Sequence, residues 1–183
     1  MEPIQSNKIY PIGIQNFEKM RKGGYFYVDK TALVYRLVKT GSYYFLSRPR
    51  RFGKSLLIST LEAYFQGKKE LFEGLAMEKL EKDWIKRPVL HIDLNIGKYD
   101  TPDSLDKQLE KAVTEWEQLY GTGMAESTLA LRFAGVVRRA CEQTGQRVAI
   151  LIDEYDKPML QAIGNKALQN EFRNTLKTPS TAY

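Results

Sequence analysis

The tripeptide Gly53-Lys54-Ser55 lies between an apolar run at residues 43–46 and an apolar helical pattern that starts near residue 54. A strand–loop–helix unit of this kind binds phosphate because the first N–H groups of a helix lack intrahelical partners and the helix dipole is positive there. Gly53 lets the backbone approach an oxyanion closely, since it carries no Cβ. We expect Lys54 to reach the β- and γ-phosphates of a nucleotide and the Ser55 hydroxyl to coordinate Mg²⁺.

The loop before this tripeptide departs from the usual phosphate-loop pattern. Arg48 occupies the position where that pattern has its first glycine, and Pro49 fixes one backbone angle. The loop is therefore stiffer and more basic than usual. A basic surface turn ahead of an amphipathic helix is the alternative interpretation. The residues expected to contact nucleotide in this segment are Arg48, Pro49, Arg50, Arg51, Phe52, Gly53, Lys54, Ser55 and Leu56.

Two adjacent carboxylates follow a second apolar run. Residues 148–152 are all apolar, as in a parallel strand that is buried on both faces, and Asp153 and Glu154 come directly after them. Open parallel sheets bind ligands at the carboxyl ends of their strands. We expect Asp153 to join Ser55 in the Mg²⁺ shell and Glu154 to act as the general base that polarises an attacking water. The alternative is a solvated strand end that caps the next helix.

The composition is that of a globular domain, but it does not identify a binding partner. The chain has 183 residues, of which 43% are hydrophobic and 27% charged, as in an ordinary globular domain. Its net charge of +6 favours polyanions, which include nucleotides, nucleic acids and acidic proteins. With Cys141 and His91 each the only residue of its type, a disulfide framework and a Cys/His zinc site are excluded. No apolar run predicts a membrane helix or a secretion signal, so we expect a cytoplasmic protein.

The predicted elements alternate between strands and helices. Strands are expected at residues 43–46, 89–94 and 148–152, with a shorter aromatic run at 25–28. Helices are expected at residues 30–39 (capped by Asp29), 54–65, 103–120, 129–144 and 158–177, with broken helix at 70–84. This alternation predicts an α/β fold with a mainly parallel sheet flanked by helices.

Several segments together resemble the bacterial AAA-ATPase-like family, a P-loop group near the AAA+ and STAND ATPases. The segments that carry the resemblance are residues 11–18, 27–31, 45–55, 89–94 and 151–158. The resemblance runs from about residue 10 to 176 and makes Arg48 a family feature. It implies a three-layer P-loop NTPase-type sheet that binds ATP with Mg²⁺. It also implies that Ile14 and Phe17 line the base pocket, with residues 27–30 helping to close it.

The same resemblance sets expectations for the whole protein. Family members continue past the acidic strand with a further strand, a helical region and often a nuclease-like domain. We therefore expect residues 1–183 to be one AAA-ATPase-like domain that lacks its C-terminal part, with ATP hydrolysis belonging to the complete protein. A nucleotide-dependent switch or interaction module, and a nucleic-acid-associated ATPase, remain open as alternatives. A homo-oligomer is also left open.

Overall fold

A computed structural model describes residues 9–47 and 52–177. The chain divides into two compact units, Met1–Lys86 and Arg87–Tyr183. The fold is mixed α/β, with a two-stranded parallel sheet accompanied by helices. Among the residues described, no helix is both long and apolar enough for a membrane crossing.

The first unit is built from helices in its described part. Four α-helices and one 3₁₀ turn follow one another as α1 (Phe17–Lys22), α2 (Thr31–Thr40), α3 (Lys54–Phe65), the 3₁₀ turn (Lys69–Phe72) and α4 (Ala76–Leu80). The expected helix at residues 54–65 is confirmed, as is the interrupted helix between 70 and 84. These segments are short, so tertiary packing rather than intrinsic helix propensity must stabilise them.

Aromatic side chains form the centre of this unit. Phe17 and Phe72 are fully buried, and their ring centroids lie 4.9 Å apart. Phe17 also meets the Tyr27 ring edge-on at 5.3 Å, while Trp84 packs on Phe72 at 5.1 Å. Tilted and edge-on ring pairs at these distances stabilise a core beyond the area that they bury. The aromatic core extends to α3, where the centroid of the Tyr64 ring lies 6.1 Å from that of Trp84.

Asp29 and Thr31 join the start of α2 to the start of α4. One Asp29 carboxylate oxygen accepts hydrogen bonds from the Thr31 amide at 2.8 Å and the Thr31 hydroxyl at 2.7 Å. The other oxygen accepts from the Ala76 amide at 2.7 Å. The Thr31 hydroxyl in turn accepts from the Met77 amide at 3.0 Å. The N-cap predicted at Asp29 is wrong by one position, because α2 begins at Thr31 and Lys30 is its N-cap residue, but the Asp29 carboxylate still accepts from the first amide of the helix.

Asp29→Ala should destabilise the first unit by about 1 kcal/mol, the usual cost of losing a helix-capping side chain. The effect should appear as faster amide hydrogen exchange at the starts of both α2 and α4, because Asp29 bonds to both. Asp29→Asn retains acceptor capacity and should recover part of the protection. Loss of protection in α2 alone would contradict a joint role.

The second unit contains the sheet. Its elements in order are β1 (Val89–Asp93), α5 (Ser104–Tyr120), α6 (Leu129–Thr144), β2 (Ala149–Asp153), α7 (Lys157–Gln161) and α8 (Lys166–Lys177). The strands pair in parallel, with Val89 opposite Ala149 and Asp93 opposite Asp153. A parallel pair needs a long crossover connection, which α5 and α6 supply here. The strands predicted at 89–94 and 148–152 are thus confirmed to within a residue at each end.

Apolar side chains of β1 and of the helices form the core of this unit. Leu90, Leu105 and Val136 are fully buried, and Phe172 from α8 joins the same cluster. Ion pairs connect α5 to α6 at its edge, where the Arg132 guanidinium donates to both carboxylate oxygens of Glu117 at 3.0 and 2.7 Å. A two-point contact of this kind fixes orientation as well as distance.

The strands predicted at residues 43–46 and 25–28 are wrong, because neither segment is a strand in the described structure. A strand requires a hydrogen-bonding neighbour, and the only strands in the described ranges are β1 and β2. Tyr43 and Phe45 are instead 86% and 78% exposed. The Tyr44 hydroxyl donates to the Leu37 carbonyl at 2.7 Å, which holds the segment near the end of α2.

Two further expectations need correction in the second unit. The single helix predicted at residues 158–177 is two helices, because Gly164 adopts a φ of 93° and the Asn165 side chain accepts from the Leu168 amide at the start of α8. The strand predicted to be buried on both faces is buried on one. Leu151 is buried, whereas Ile150 and Ile152 are 41% and 44% exposed.

Candidate functional site

The described part of the predicted phosphate loop begins at Phe52, since residues 48–51 lie outside the described ranges. Phe52 is exposed, and Gly53 has a φ of 75°, in the left-handed region. A Cβ at Gly53 would meet no atom within 4 Å. Glycine is therefore favoured here by the left-handed backbone conformation and not by a lack of space. Gly53 is the N-cap of α3, and its carbonyl accepts from the Leu57 amide at 3.0 Å.

Lys54, Ser55 and Leu56 form the first turn of α3, and each is half-buried. No side-chain cap occupies this helix start within the part of the chain described. The first N–H groups of a helix attract anions in this situation, because they lack intrahelical acceptors and carry the positive end of the dipole. The local geometry therefore suits a phosphate-type ligand.

The helix α3 is fixed in place by hydroxyl groups one turn further on. The Ser59 hydroxyl accepts from the Phe17 amide at 2.9 Å and donates to the Leu56 carbonyl at 3.0 Å. The Thr60 hydroxyl also donates to the Leu56 carbonyl, at 2.7 Å. Ser59 thus joins the start of α1 to α3, the helix that follows the predicted phosphate loop.

Ile14 and Phe17 lie close to this joint along the chain. Ile14 is half-buried, and it precedes α1. Phe17 is fully buried, with its ring packed against Tyr27 and Phe72. The Phe17 side chain is therefore part of the aromatic core of the first unit, while Ile14 keeps part of its surface accessible.

In the second unit, two carboxylates lie side by side at the carboxyl ends of the strands. Asp93 ends β1, Asp153 ends β2, and they are direct partners in the parallel register. Partners in a parallel pair point to the same face of the sheet. Each carboxylate organises the turn that follows its strand. Asp93 Oδ1 accepts from the Asn95 amide at 2.8 Å, and Asp153 Oδ1 accepts from the Glu154 amide at 2.9 Å.

Glu154 has an unusual backbone conformation. Its φ is 52°, one of two positive values at non-glycine residues among those described. A left-handed conformation costs a residue with a side chain about 1–2 kcal/mol, and such strain is concentrated at functional sites. Its amide donates to Asp153, and its carbonyl accepts from the Lys157 amide at 3.0 Å. The predicted general base is therefore held by contacts on both sides of its α-carbon.

Three residues at this edge had no predicted role, namely Asp93, Asn95 and Lys157. The Lys157 ammonium group donates to the Asn95 main-chain carbonyl and, at 3.2 Å, to Asn95 Oδ1. A polar residue at the end of the strand predicted at residues 89–94 is the signal that could have identified Asp93. The contact between Asn95 and Lys157 joins residues 62 positions apart and has no comparable local signal.

The donor set at this edge is compatible with Mg²⁺. No group of three or more His, Cys, Asp or Glu residues suited to a metal occurs within the described ranges. Magnesium is usually held by one or two carboxylates, with waters and substrate phosphates completing the shell. Asp153, assisted by Asp93, fits that pattern, whereas a metal site made only of protein ligands does not.

Comparison with known proteins decides the family. The sequence model described as Predicted AAA-ATPase matches residues 11–179, which is nearly the whole chain. The chain belongs to the AAA-ATPase-like family. The family resemblance drawn from the sequence is thereby confirmed.

One curated relative of this AAA-ATPase-like chain comes from Azotobacter chroococcum mcd 1. That protein is described as an uncharacterized protein in the vnfD 5' region and is 41% identical over 174 residues. The alignment covers 94% of this chain and 34% of the relative, so the chain spans about one third of the relative's length. No solved structure matches the chain.

Proposed function

We propose that this chain binds ATP together with Mg²⁺ and that it hydrolyses ATP as part of a complete AAA-ATPase-like protein. The observation that carries the proposal is the start of α3. Gly53 takes a left-handed conformation immediately before a helix whose first turn contains Lys54 and Ser55. Family membership supports the same ligand, since the family is described as Predicted AAA-ATPase.

The proposal gives each group a separate task. The loop at residues 48–53, the α3 amides and Lys54 bind the phosphates. Ile14, which keeps accessible surface, lies on the side of the base, whereas the fully buried Phe17 supports that side from within the aromatic core. Ser55 and Asp153 hold Mg²⁺, which when bound would neutralise phosphate charge. Glu154 accepts a proton from the attacking water. In the complete protein, this function goes with a three-layer P-loop fold.

Lys54→Ala should weaken ATP binding more than tenfold, because losing a charge-assisted phosphate contact costs about 1.5–3 kcal/mol. Isothermal titration with Mg²⁺-ATP measures the effect, with stoichiometry expected near one. Lys79→Ala is the matched control, since it removes an equal charge from an exposed position on α4 in the same unit. It should leave the affinity unchanged.

Three results, from this titration and from parallel assays of ATP turnover and DNA binding, have distinct meanings. Binding within twofold of the parent after Lys54→Ala would refute the phosphate-loop assignment. Lys54-dependent binding without turnover, also in the complete protein, would support a nucleotide-dependent switch. A steep fall in the affinity for DNA as salt increases, without any Mg²⁺ requirement for ATP, would favour nucleic acid as the ligand.

A further inference from the structure

Lys157 joins the turns that follow the two parallel strands. Its amide donates to the Glu154 carbonyl at 3.0 Å, on the turn after β2. Its ammonium group donates to the main-chain carbonyl and the side-chain oxygen of Asn95, on the turn after β1. Asn95 is itself bonded to Asp93, its amide donating to Asp93 Oδ1 at 2.8 Å. One side chain therefore connects the segments that carry Asp93 and Glu154.

A second contact from α7 reinforces the first. The Gln161 side-chain oxygen accepts from the Tyr99 amide at 2.8 Å. The Tyr99 hydroxyl, almost wholly buried, donates to the Leu94 carbonyl at 2.8 Å. Burial, followed by the charge of Asp93, raises the pKa of Tyr99 to about 12, so this hydroxyl remains a donor at neutral pH. Lys157 and Gln161 are four positions apart and therefore lie on the same face of α7.

These contacts constrain a strained turn. Glu154 keeps its left-handed backbone only if its surroundings favour that conformation over relaxed ones. Asp153 holds the amide side of Glu154, and Lys157 holds the carbonyl side. Because α7 begins at Lys157, fixing the Lys157 side chain to Asn95 also fixes where α7 begins relative to β1.

We propose that Lys157 is a positioning residue for Asp153 and Glu154, acting through Asn95 rather than through contact with the nucleotide. This inference rests on the proposed function, since it gives Lys157 a role in binding Mg²⁺-ATP. Groups that orient a metal ligand typically change metal affinity or activity about 10–100-fold when removed. The contribution of Mg²⁺ to ATP affinity should therefore depend on Lys157.

Lys157→Met tests the inference, because it keeps the aliphatic stem and removes the three donors. Lys157→Arg keeps the donors, and Lys166→Met removes a lysine from an exposed position on α8 in the same unit. Two quantities are measured for each variant. The first is amide hydrogen exchange of residues 93–99 and 153–161 without nucleotide. The second is the ratio of the ATP dissociation constants in EDTA and in Mg²⁺.

For Lys157→Met we expect exchange in both segments to accelerate about tenfold or more. The Mg²⁺ enhancement of ATP affinity should fall by about tenfold, while the affinity in EDTA stays within about twofold of the parent. Lys157→Arg should recover most of the enhancement, and Lys166→Met should match the parent in both measurements.

Other outcomes overturn the inference in distinguishable ways. Unchanged exchange would show that Lys157 does not hold the acidic turn. Changed exchange with an unchanged Mg²⁺ enhancement would show that Lys157 holds the turn without affecting Mg²⁺ binding, which also overturns the inference. An equal loss of affinity in EDTA and in Mg²⁺ would make Lys157 a direct nucleotide contact. If the parent protein itself binds no ATP in either buffer, the proposed function fails, whatever the variants do.

Discussion

In the complete protein, Glu154→Gln should reduce steady-state ATP hydrolysis by about 100-fold or more, because it removes the proposed general base, the group that would accept the proton of the attacking water. The affinity for Mg²⁺-ATP should remain within about twofold of the parent, since the substituted side chain is nearly isosteric and the proposed metal ligand, Asp153, is unchanged. Phosphate release and calorimetry on the same preparation measure the two quantities.

The choice of glutamine matters for this experiment. Glu154 has a φ of 52°, and glutamine experiences the same backbone strain as glutamate, so the substitution tests the carboxylate alone. Glu171→Gln, at an exposed position on α8, is the matched control and should hydrolyse ATP at the parental rate. If the Glu154→Gln protein hydrolyses ATP at the parental rate, or loses only affinity for Mg²⁺-ATP, Glu154 is not the general base.

A second large effect is expected from Glu81→Ala, which should lower the free energy of unfolding of the first unit by about 3 kcal/mol. Glu81 is only 4% exposed, yet its carboxylate is fully engaged. Oε2 accepts from the Tyr64 hydroxyl and from Lys39 Nζ, the latter at 2.9 Å. Oε1 accepts from the amides of Lys82 and Asp83. Removing the carboxylate takes the acceptor from four donors at once, of which the Tyr64 hydroxyl is partly buried, and a donor that loses its acceptor away from solvent is costly.

The contribution of Glu81 should also depend on pH. Burial by itself would raise the pKa of this carboxyl, but the hydrogen bonds from Tyr64, Lys39 and the two amides lower it from 4.5 to about 2. As the pH falls, the Glu81 carboxyl is therefore protonated in the unfolded chain before it is protonated in the folded chain. The stabilisation is complete above pH 4.5 and is lost progressively as the pH falls towards about 2.

Hydrogen exchange resolved by segment is the appropriate measurement, because the chain has two units and a single unfolding transition cannot be assumed. Glu73→Ala, at an exposed position in the same unit, should change stability by less than about 0.5 kcal/mol. Equal protection in Glu81→Ala and parent α3 at neutral pH would show that the carboxylate network contributes no stability.

Local signals made most of the helices predictable but left two strand predictions wrong. The spacing of apolar residues and Gly53 lie within a few positions of α3, and the structure contains that helix at the predicted residues, Lys54–Phe65. Residues 43–46 carry strand-forming side chains, but a strand also needs a partner that no local pattern specifies. Gly164 and Asn165 were a readable stop and start signal between α7 and α8, and the prediction of one helix overlooked it.

The candidate site was predictable to a similar extent. Asp153 and Glu154 stand at the end of β2, as the apolar run before them predicts. Asp93 could be paired with Asp153 only after the register between two distant strands was known. The left-handed backbone of Glu154 had no sequence signal either, because the residue is not a glycine. Roles for the phosphate-loop and acidic residues remain predictions.

The parallel register has a consequence for how the chain folds. Every residue pair between β1 and β2 joins positions 60 apart, such as 89 with 149, so the sheet forms only after a long segment has been ordered. The first unit consists of short helices in its described part, whose backbone hydrogen bonds are local, although their packing also joins distant positions, such as the Phe17 amide and the Ser59 hydroxyl 42 residues apart. The N-terminal part of a chain leaves the ribosome first. The backbone of α3 should therefore be able to form during synthesis before β2, the strand that carries Asp153, has been made.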